Sequence, residues 1–284
     1  MTRLFKNKKI FLSLIVLLGL SGCMATDLII SLDTPFSDMW IGSNSWFEAL
    51  FVYPLAQALN WLTPFVTVTF AIVLVTLLVK LLTFGLTVKS TVASQKMQTL
   101  QPELNKIQEK YKGKTDNESK MKMSQEMNGL YAKHKINPFG AIGTMFIQFP
   151  VIIAMYQAVQ HADAVKNSSL FGYALSNSPQ NAIADGQWLF IVIFLLMGIS
   201  QFVSMKLPTW LAKAKAKKQP VRLGEKAATK GPNTDMMMYT SMGMILFFAF
   251  TWPTAMSLYW FVSSMAQIAQ TYYIQKVYIE KEAV

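Results

Sequence analysis

The residue in this sequence best placed to do chemistry is a lysine inside an otherwise apolar run. Lys80 interrupts the stretch 58–88 about eight residues from its polar end, a depth of roughly 12 Å at 1.5 Å per helical residue. A lysine arm spans about 6 Å, so snorkelling alone leaves the ammonium short of the interface. In hydrocarbon it would cost about 2.5–3.5 kcal/mol, and the residue therefore predicts polar surroundings. The neighbouring spacing supplies them: Thr69, Thr76, Lys80, Thr83 and Thr87 step by seven, four, three and four along one helical face. Gln148 adds an amide, Gln201 sits with Ser200 and Ser204, and Trp260, Ser263, Ser264, Gln267, Gln270 and Thr271 form a third polar stripe.

Two accounts fit these stripes. Ser, Thr and Gln in membrane helices often do no more than bond helix to helix. A cation without an acidic partner in any span instead calls for a hydrated groove, able to receive a transient acidic or polar guest. Proton-coupled transporters usually carry intramembrane carboxylates, and the apolar runs of this chain hold none. The candidate groove residues are Lys80, Thr76, Thr83, Gln148, Gln201, Ser204, Trp260, Ser264 and Gln267.

No enzyme signature accompanies them. G-x-S-x-G, H-E-x-x-H and G-x-x-x-x-G-K-[ST] are all missing. The two histidines, His134 and His161, stand apart, and the single cysteine excludes an internal disulfide or a Cys-cluster metal site. No catalytic residue, metal, cofactor or small-molecule substrate is expected.

The elements that must position the groove follow from composition. Of 284 residues, 52% are apolar and 14% charged, against about 25% charged in soluble domains; mean hydropathy is +0.32. About 20 apolar residues suffice to span a bilayer. Spans are expected at 58–88, 136–162, 187–205, 236–252 and 253–275, joined by segments 89–135, 163–186 and 206–235, with a tail at 276–284. The fourth is short: the 16 residues 236–251 reach only about 24 Å, and a short span can thin the bilayer locally.

Charge fixes the expected orientation. Ten lysines lie in 89–135 and eight Lys or Arg in 206–230, whereas the segments 24–48 and 163–186 hold one basic residue between them. By the positive-inside rule the amino terminus is outside and the carboxyl terminus cytoplasmic, which demands an odd number of spans. The net charge of +11 is thus a membrane signal. DNA is not an expected partner, and ribosomal RNA is the one nucleic acid in reach.

Segment 89–135 is expected to be a helical hairpin. Met97, Leu100, Leu104, Ile107 and Tyr111 step by three and four, as do Met123, Met127, Leu130 and His134. Residues 113–117 separate the arms, Asp116 is a candidate N-cap, and Pro102 starts or kinks the first arm.

The amino terminus carries its own chemistry. Arg3, Lys6, Lys8 and Lys9 precede a mainly apolar stretch of 11 residues, 10–20, which runs into Leu20-Ser21-Gly22-Cys23, the layout of a cleaved signal peptide over 1–22. The four-residue ending resembles the bacterial lipobox, which makes Cys23 the expected lipidation site. The alternative is a buried cysteine in an uncleaved anchor helix. Residues 23–57, acidic and bearing Trp40 and Trp46, are expected to hold a peripheral amphipathic helix on the outer face.

Several segments together resemble the YidC/OxaA membrane protein insertase family: Met97-Gln-Thr-Leu-Gln-Pro-Glu103, Ile136-Asn-Pro-Phe-Gly140, Gln148-Phe-Pro150 and Ser257-Leu-Tyr-Trp260 followed by Gln270. The lipobox is similar to that of the shorter Gram-positive members. The resemblance implies an all-α polytopic membrane protein, a five-helix transmembrane bundle with a cytoplasmic helical hairpin and a groove open to cytoplasm and lipid. It places Lys80 at the groove cation, where many members have arginine, Gln201 in the groove wall of the third span, and Trp260 as an aromatic of the fifth. The implied partners are nascent membrane proteins, the ribosome, the Sec translocon and anionic lipids. A small-solute transporter or channel, and an assembly factor for a single complex, remain the rivals.

Overall fold

The computed structural model describes residues 29–40, 46–218 and 234–279. The signal segment 1–22, Cys23, most of the basic loop and the end of the tail lie outside the described residues. Those described form an all-α chain with one two-stranded hairpin. In order, the elements are α1 (Phe36–Trp40), a π-helical turn (Glu48–Val52), α2 (Tyr53–Leu62), α3 (Val68–Leu82), α4 (Phe84–Thr99), α5 (Gln101–Lys110), α6 (Asn117–Lys133), α7 (Pro138–His161) and α8 (Asp163–Lys166). There follow β1 (Ser169–Leu170), β2 (Tyr173–Ala174), α9 (Pro179–Ala184), α10 (Trp188–Lys218), α11 (Thr234–Thr251), α12 (Thr254–Ile274) and a closing π turn (Gln275–Ile279).

The run 58–88, expected to be one span, is divided among three helices. Pro64 has no N–H to continue α2 beyond Leu62, and Thr67 restarts the chain by accepting a hydrogen bond from the Phe70 amide at 3.4 Å. At the other end, the Thr83 hydroxyl donates back to the Val79 carbonyl at 2.8 Å. Such back-bonding bends helices, and here α3 and the first part of α4 meet at 64°. Residues 58–62 therefore belong to the peripheral helix α2, and the polar segment beyond Lys89 is still α4.

The hairpin forms with a different seam: Ile107, Tyr111, Met123 and His134 lie outside its apolar cluster, and Tyr131 and Ile136 join it. Pro102 sits in the first turn of α5, Gly113 reverses the chain at φ 84°, and Asp116 caps α6 by accepting from the Ser119 amide at 2.7 Å. Leu100, Leu104 and Tyr131 make its core, with Met97, Met127, Leu130 and Ile136 packed around them; each leucine so buried is worth about 1.5–3 kcal/mol. His134 is not in that core. It is exposed and faces Glu103 at 3.9 Å, and Tyr131 fills the place between the arms.

Around the bundle, α10 packs most extensively on α12, α4 on α7, and α12 on α3. Among the described residues, Trp188–Leu211 of α10 is the one helix long and apolar enough by itself to cross a membrane, and the bent pair α3–α4 meets the same measure as a broken span. Met238–Thr251 of α11 is apolar but shorter. Helices α7 and α12 have the length, 24 and 21 residues, but are diluted by glutamine, serine and threonine. Leu81, Leu82, Ile199 and Phe247 are exposed, apolar surface that calls for an apolar solvent.

One end of the bundle is capped. Ile30, 1% exposed, lies as a strap against the end of α7: its amide donates to the His161 carbonyl at 2.7 Å and its carbonyl accepts from the Asp163 amide at 3.0 Å. Asn60 of α2 completes this lattice, donating to the Ile30 carbonyl at 2.6 Å and accepting from the Ala164 amide at 3.0 Å. Further along the cap, the Thr254 amide and hydroxyl, at the start of α12, both donate to the Asn177 carbonyl.

Candidate functional site

The helical phase of α3 turns Thr76 and Lys80 inward, and both are buried. The Lys80 ammonium donates to two side-chain carbonyls, Gln148 Oε1 of α7 at 3.4 Å and Gln267 Oε1 of α12 at 3.3 Å. Gln148 in turn donates from Nε2 to the Tyr259 hydroxyl at 3.1 Å, and Gln270 donates to the Lys80 backbone carbonyl at 3.3 Å. The cation thus stands where three helices converge, in a small cavity lined by Thr76, Lys80, Thr83, Gln148, Tyr259 and Gln267 among others. Among the described residues, no carboxylate lines it. Both ammonium bonds are longer than the usual 2.7–3.2 Å, so neutral dipoles hold the charge loosely and a stronger acceptor can displace them.

The threonine stripe plays a quieter part. Thr76, Thr83 and Thr87 donate their hydroxyls to carbonyls one turn back, at 2.6, 2.8 and 3.0 Å. Their hydroxyl protons are committed to the helix, and only oxygen lone pairs face the cavity.

Of the nine groove candidates, the cavity gathers five: Lys80, Thr76, Thr83, Gln148 and Gln267. Gln201 and Ser264 form a separate pair across α10 and α12, the serine hydroxyl donating to Gln201 Oε1 at 2.5 Å. Ser204 is buried nearly one turn further along α10. Trp260 joins neither group. Its indole stacks on Trp252 at 5.6 Å and 11°, and Trp252 stacks in turn on Tyr156 at 4.0 Å, an aromatic column that pins the corner between α11 and α12. Tyr259 was not among the candidates, although it lies inside the Ser257-Leu-Tyr-Trp260 segment.

Polar burial continues along α4 towards the hairpin. Ser90, Thr91 and Gln95 are buried there. Gln95 Nε2, Gln98 Oε1, Thr271 Oγ1 and Gln275 Oε1 are enclosed without a hydrogen-bond partner. Unmatched buried groups carry a desolvation cost, and native proteins keep few of them outside functional sites. Among the described residues, no three His, Cys, Asp or Glu side chains come together as a metal set.

Comparison with known proteins now gives this geometry a context. The family model described as 60Kd inner membrane protein matches residues 61–282. Membrane protein insertase MisCA of Bacillus subtilis is 30% identical over 269 residues, 94% of this chain and 90% of its own length. Membrane protein insertase YidC 1 of Listeria monocytogenes is 30% identical over 98% of this chain and 86% of its own. YidC 1 of Streptococcus pyogenes is 32% identical over 80% and 74%. None of these relatives is named a transporter or a channel. With a shared model over most of its length and relatives at this identity, the chain belongs to the 60Kd inner membrane protein family, the YidC/OxaA membrane protein insertases.

Proposed function

We propose that this protein inserts nascent integral membrane proteins into the bilayer, and helps them fold, through the Lys80 cavity acting as an intramembrane groove, alone or with the Sec translocon. The observation that carries the mechanism is a buried ammonium held, among the described residues, by amide carbonyls at 3.3 and 3.4 Å. An acidic segment of a guest offers a better acceptor than those amides, because a carboxylate adds the attraction of opposite charges to a bond in which only the donor is otherwise ionised. The guest exchanges with Gln148 and Gln267, rests partway across the membrane, and passes on, since nothing in the cavity binds it permanently. No chemical step is catalysed.

The five spans are the bent pair α3–α4, then α7, α10, α11 and α12, with the strap end outside and the hairpin end in the cytoplasm. That orientation puts the basic hairpin, the loop after α10 and the tail where ribosome and anionic lipid head groups are met. Helix α11, 18 residues and about 27 Å long, is the short wall beside which the crossing distance shrinks. Cys23 carries a lipid that holds the amino terminus on the outer leaflet, as in the Gram-positive lipoprotein-type members.

Photo-crosslinkers at positions 148 and 267, tested against stalled ribosome–nascent chains, examine this directly. Adducts with several unrelated clients, strongest while the client's polar segment is crossing, are expected. Adducts only with lipid at both positions, in a strain that inserts those clients normally, would remove the groove from the mechanism.

A further inference from the structure

The loop between α7 and α10 encloses a second pocket, which the groove mechanism leaves unused. Phe171, Tyr173, Gln187, Trp188 and Leu189 surround a cavity of about 320 Å³ open to the surface. Three of its five residues are aromatic, and neither lysine nor arginine lines it.

Its construction is costly in a way that packing does not explain. Phe171 and Gly172 are the two turn residues between β1 and β2, with φ of 52° and 86°. A two-residue turn with both φ positive favours Asn-Gly, and a phenylalanine in that region is a steric outlier. Nor does the ring gain burial in exchange, being 81% exposed. Strain of this kind gathers at ligand clamps and functional sites. Two of the other walls are held in place. The Tyr173 ring is braced edge-on at 5.7 Å by Phe190, which is fully buried. Gly186, at φ 68°, turns the chain so that the Gln187 amide closes on the Ala182 carbonyl at 2.7 Å and Trp188 opens α10. Gln187 Oε1 is then enclosed with no donor.

We propose that this pocket binds an alkylammonium group. Aromatic faces attract cations through the ring quadrupole, and cages of such faces are the recurrent receptors for ammonium ligands. The Gln187 carbonyl oxygen, enclosed beside the cavity with no donor, adds partial negative charge that favours a cation, primary or quaternary, over a phosphate or carboxylate. The group arrives either as the amine of a lipid headgroup or as a free amine. The lipid source rests on the outward placement of this loop given above; the cation affinity of the pocket does not.

The full-length protein in mild detergent is titrated with labelled choline by equilibrium dialysis. The same protein, extracted from nanodiscs of equal phosphatidylethanolamine and phosphatidylglycerol, is scored for retained lipid by native mass spectrometry. Phe171→Asn is the decisive variant because it relieves the turn while deleting the ring. It should keep or raise the thermal midpoint and still lose roughly tenfold in amine binding. Gln187→Glu should tighten binding and Gln187→Leu weaken it. Choline binding with preferential retention of phosphatidylethanolamine assigns the lipid source, and choline binding without that preference assigns the free amine. Equal retention of both lipids with no choline bound, or binding unchanged in both Phe171→Asn and Trp188→Leu, overturns the proposal. Lys80→Ala should leave choline binding intact, so failure of the groove and failure of the pocket read out separately.

Discussion

Two polar regions of the bundle, the Ile30 strap and the face of α4 and α12 towards the hairpin, satisfy their groups in opposite ways. At the strap end, Ile30, Asn60, His161, Asp163 and Ala164 exchange hydrogen bonds of 2.6–3.0 Å with donors and acceptors paired. At the hairpin end, Gln95, Gln98, Thr271 and Gln275 hold buried atoms that nothing matches, and between them and the cap Lys80 is matched only at a stretch. In the function proposed above, the paired strap is the closed part of the bundle and the unmatched side chains are the receptive part.

The comparison can be broken most forcefully at its boundary. Lys80→Ala should reduce insertion of single-span clients with acidic outer segments by about tenfold or more, the equivalent of one hydrogen bond to a charged group. Lys80→Arg should retain most activity, and a depletion strain carrying each variant measures both. Equal growth and insertion with the alanine variant would leave the cation without a role. Next in size, Asn60→Leu removes the buried bond to the Ile30 carbonyl and strands the half-buried Ala164 amide, and should cost about 1–2 kcal/mol, read as a lower thermal midpoint with insertion by the surviving folded protein unimpaired. The same change at the other end should have the opposite sign. Gln95→Leu deletes an unmatched amide, so stability should stay level or rise by up to about 1 kcal/mol while client insertion slows.

The smallest effect is expected in the hairpin. Glu126 accepts from Lys110 and from Tyr111, and these bonds, that from Lys110 first, hold its carboxyl below the usual carboxylate range. A folded value below the unfolded one gives stability that is complete above the unfolded range near 4.3 and lost as pH falls through the folded value. Lys110 is shifted up by its bond to the same carboxylate, a contribution lost only as pH rises through its folded value. Docking of α5 on α6 should therefore be flat through neutrality and loosen slightly in acid, and Glu126→Gln should erase that acid step. Hydrogen exchange across residues 101–133 follows it.

Much of this was legible from spacing alone. The hairpin arms, the Asp116 cap and the face shared by Thr76, Lys80 and Thr83 are consequences of helical periodicity, which local sequence carries. The break at Pro64 was legible as a proline in a long apolar run, yet hydropathy averages over a single residue and merges α2 with α3. The partners of Lys80 were not legible as partners. Gln148 and Gln267 stand 68 and 187 residues away, and only the packing of α3 between α7 and α12 brings them together. The partner of Trp260 was not legible for the same reason, since Trp252, on which it stacks, lies on the preceding helix. The strap at Ile30 gave no signal, because the groups it uses are main-chain atoms that every residue type presents.

That last feature has an evolutionary corollary. A segment held by its peptide groups keeps its seat whatever side chains flank the contact, provided proline is avoided at the donating position. The exposed neighbours Ile29 and Leu32 are therefore free to drift in sequence between species. Ile30, whose side chain is packed in the apolar core, and the asparagine that reads its carbonyl are not, and positions 30 and 60 are where selection has to act.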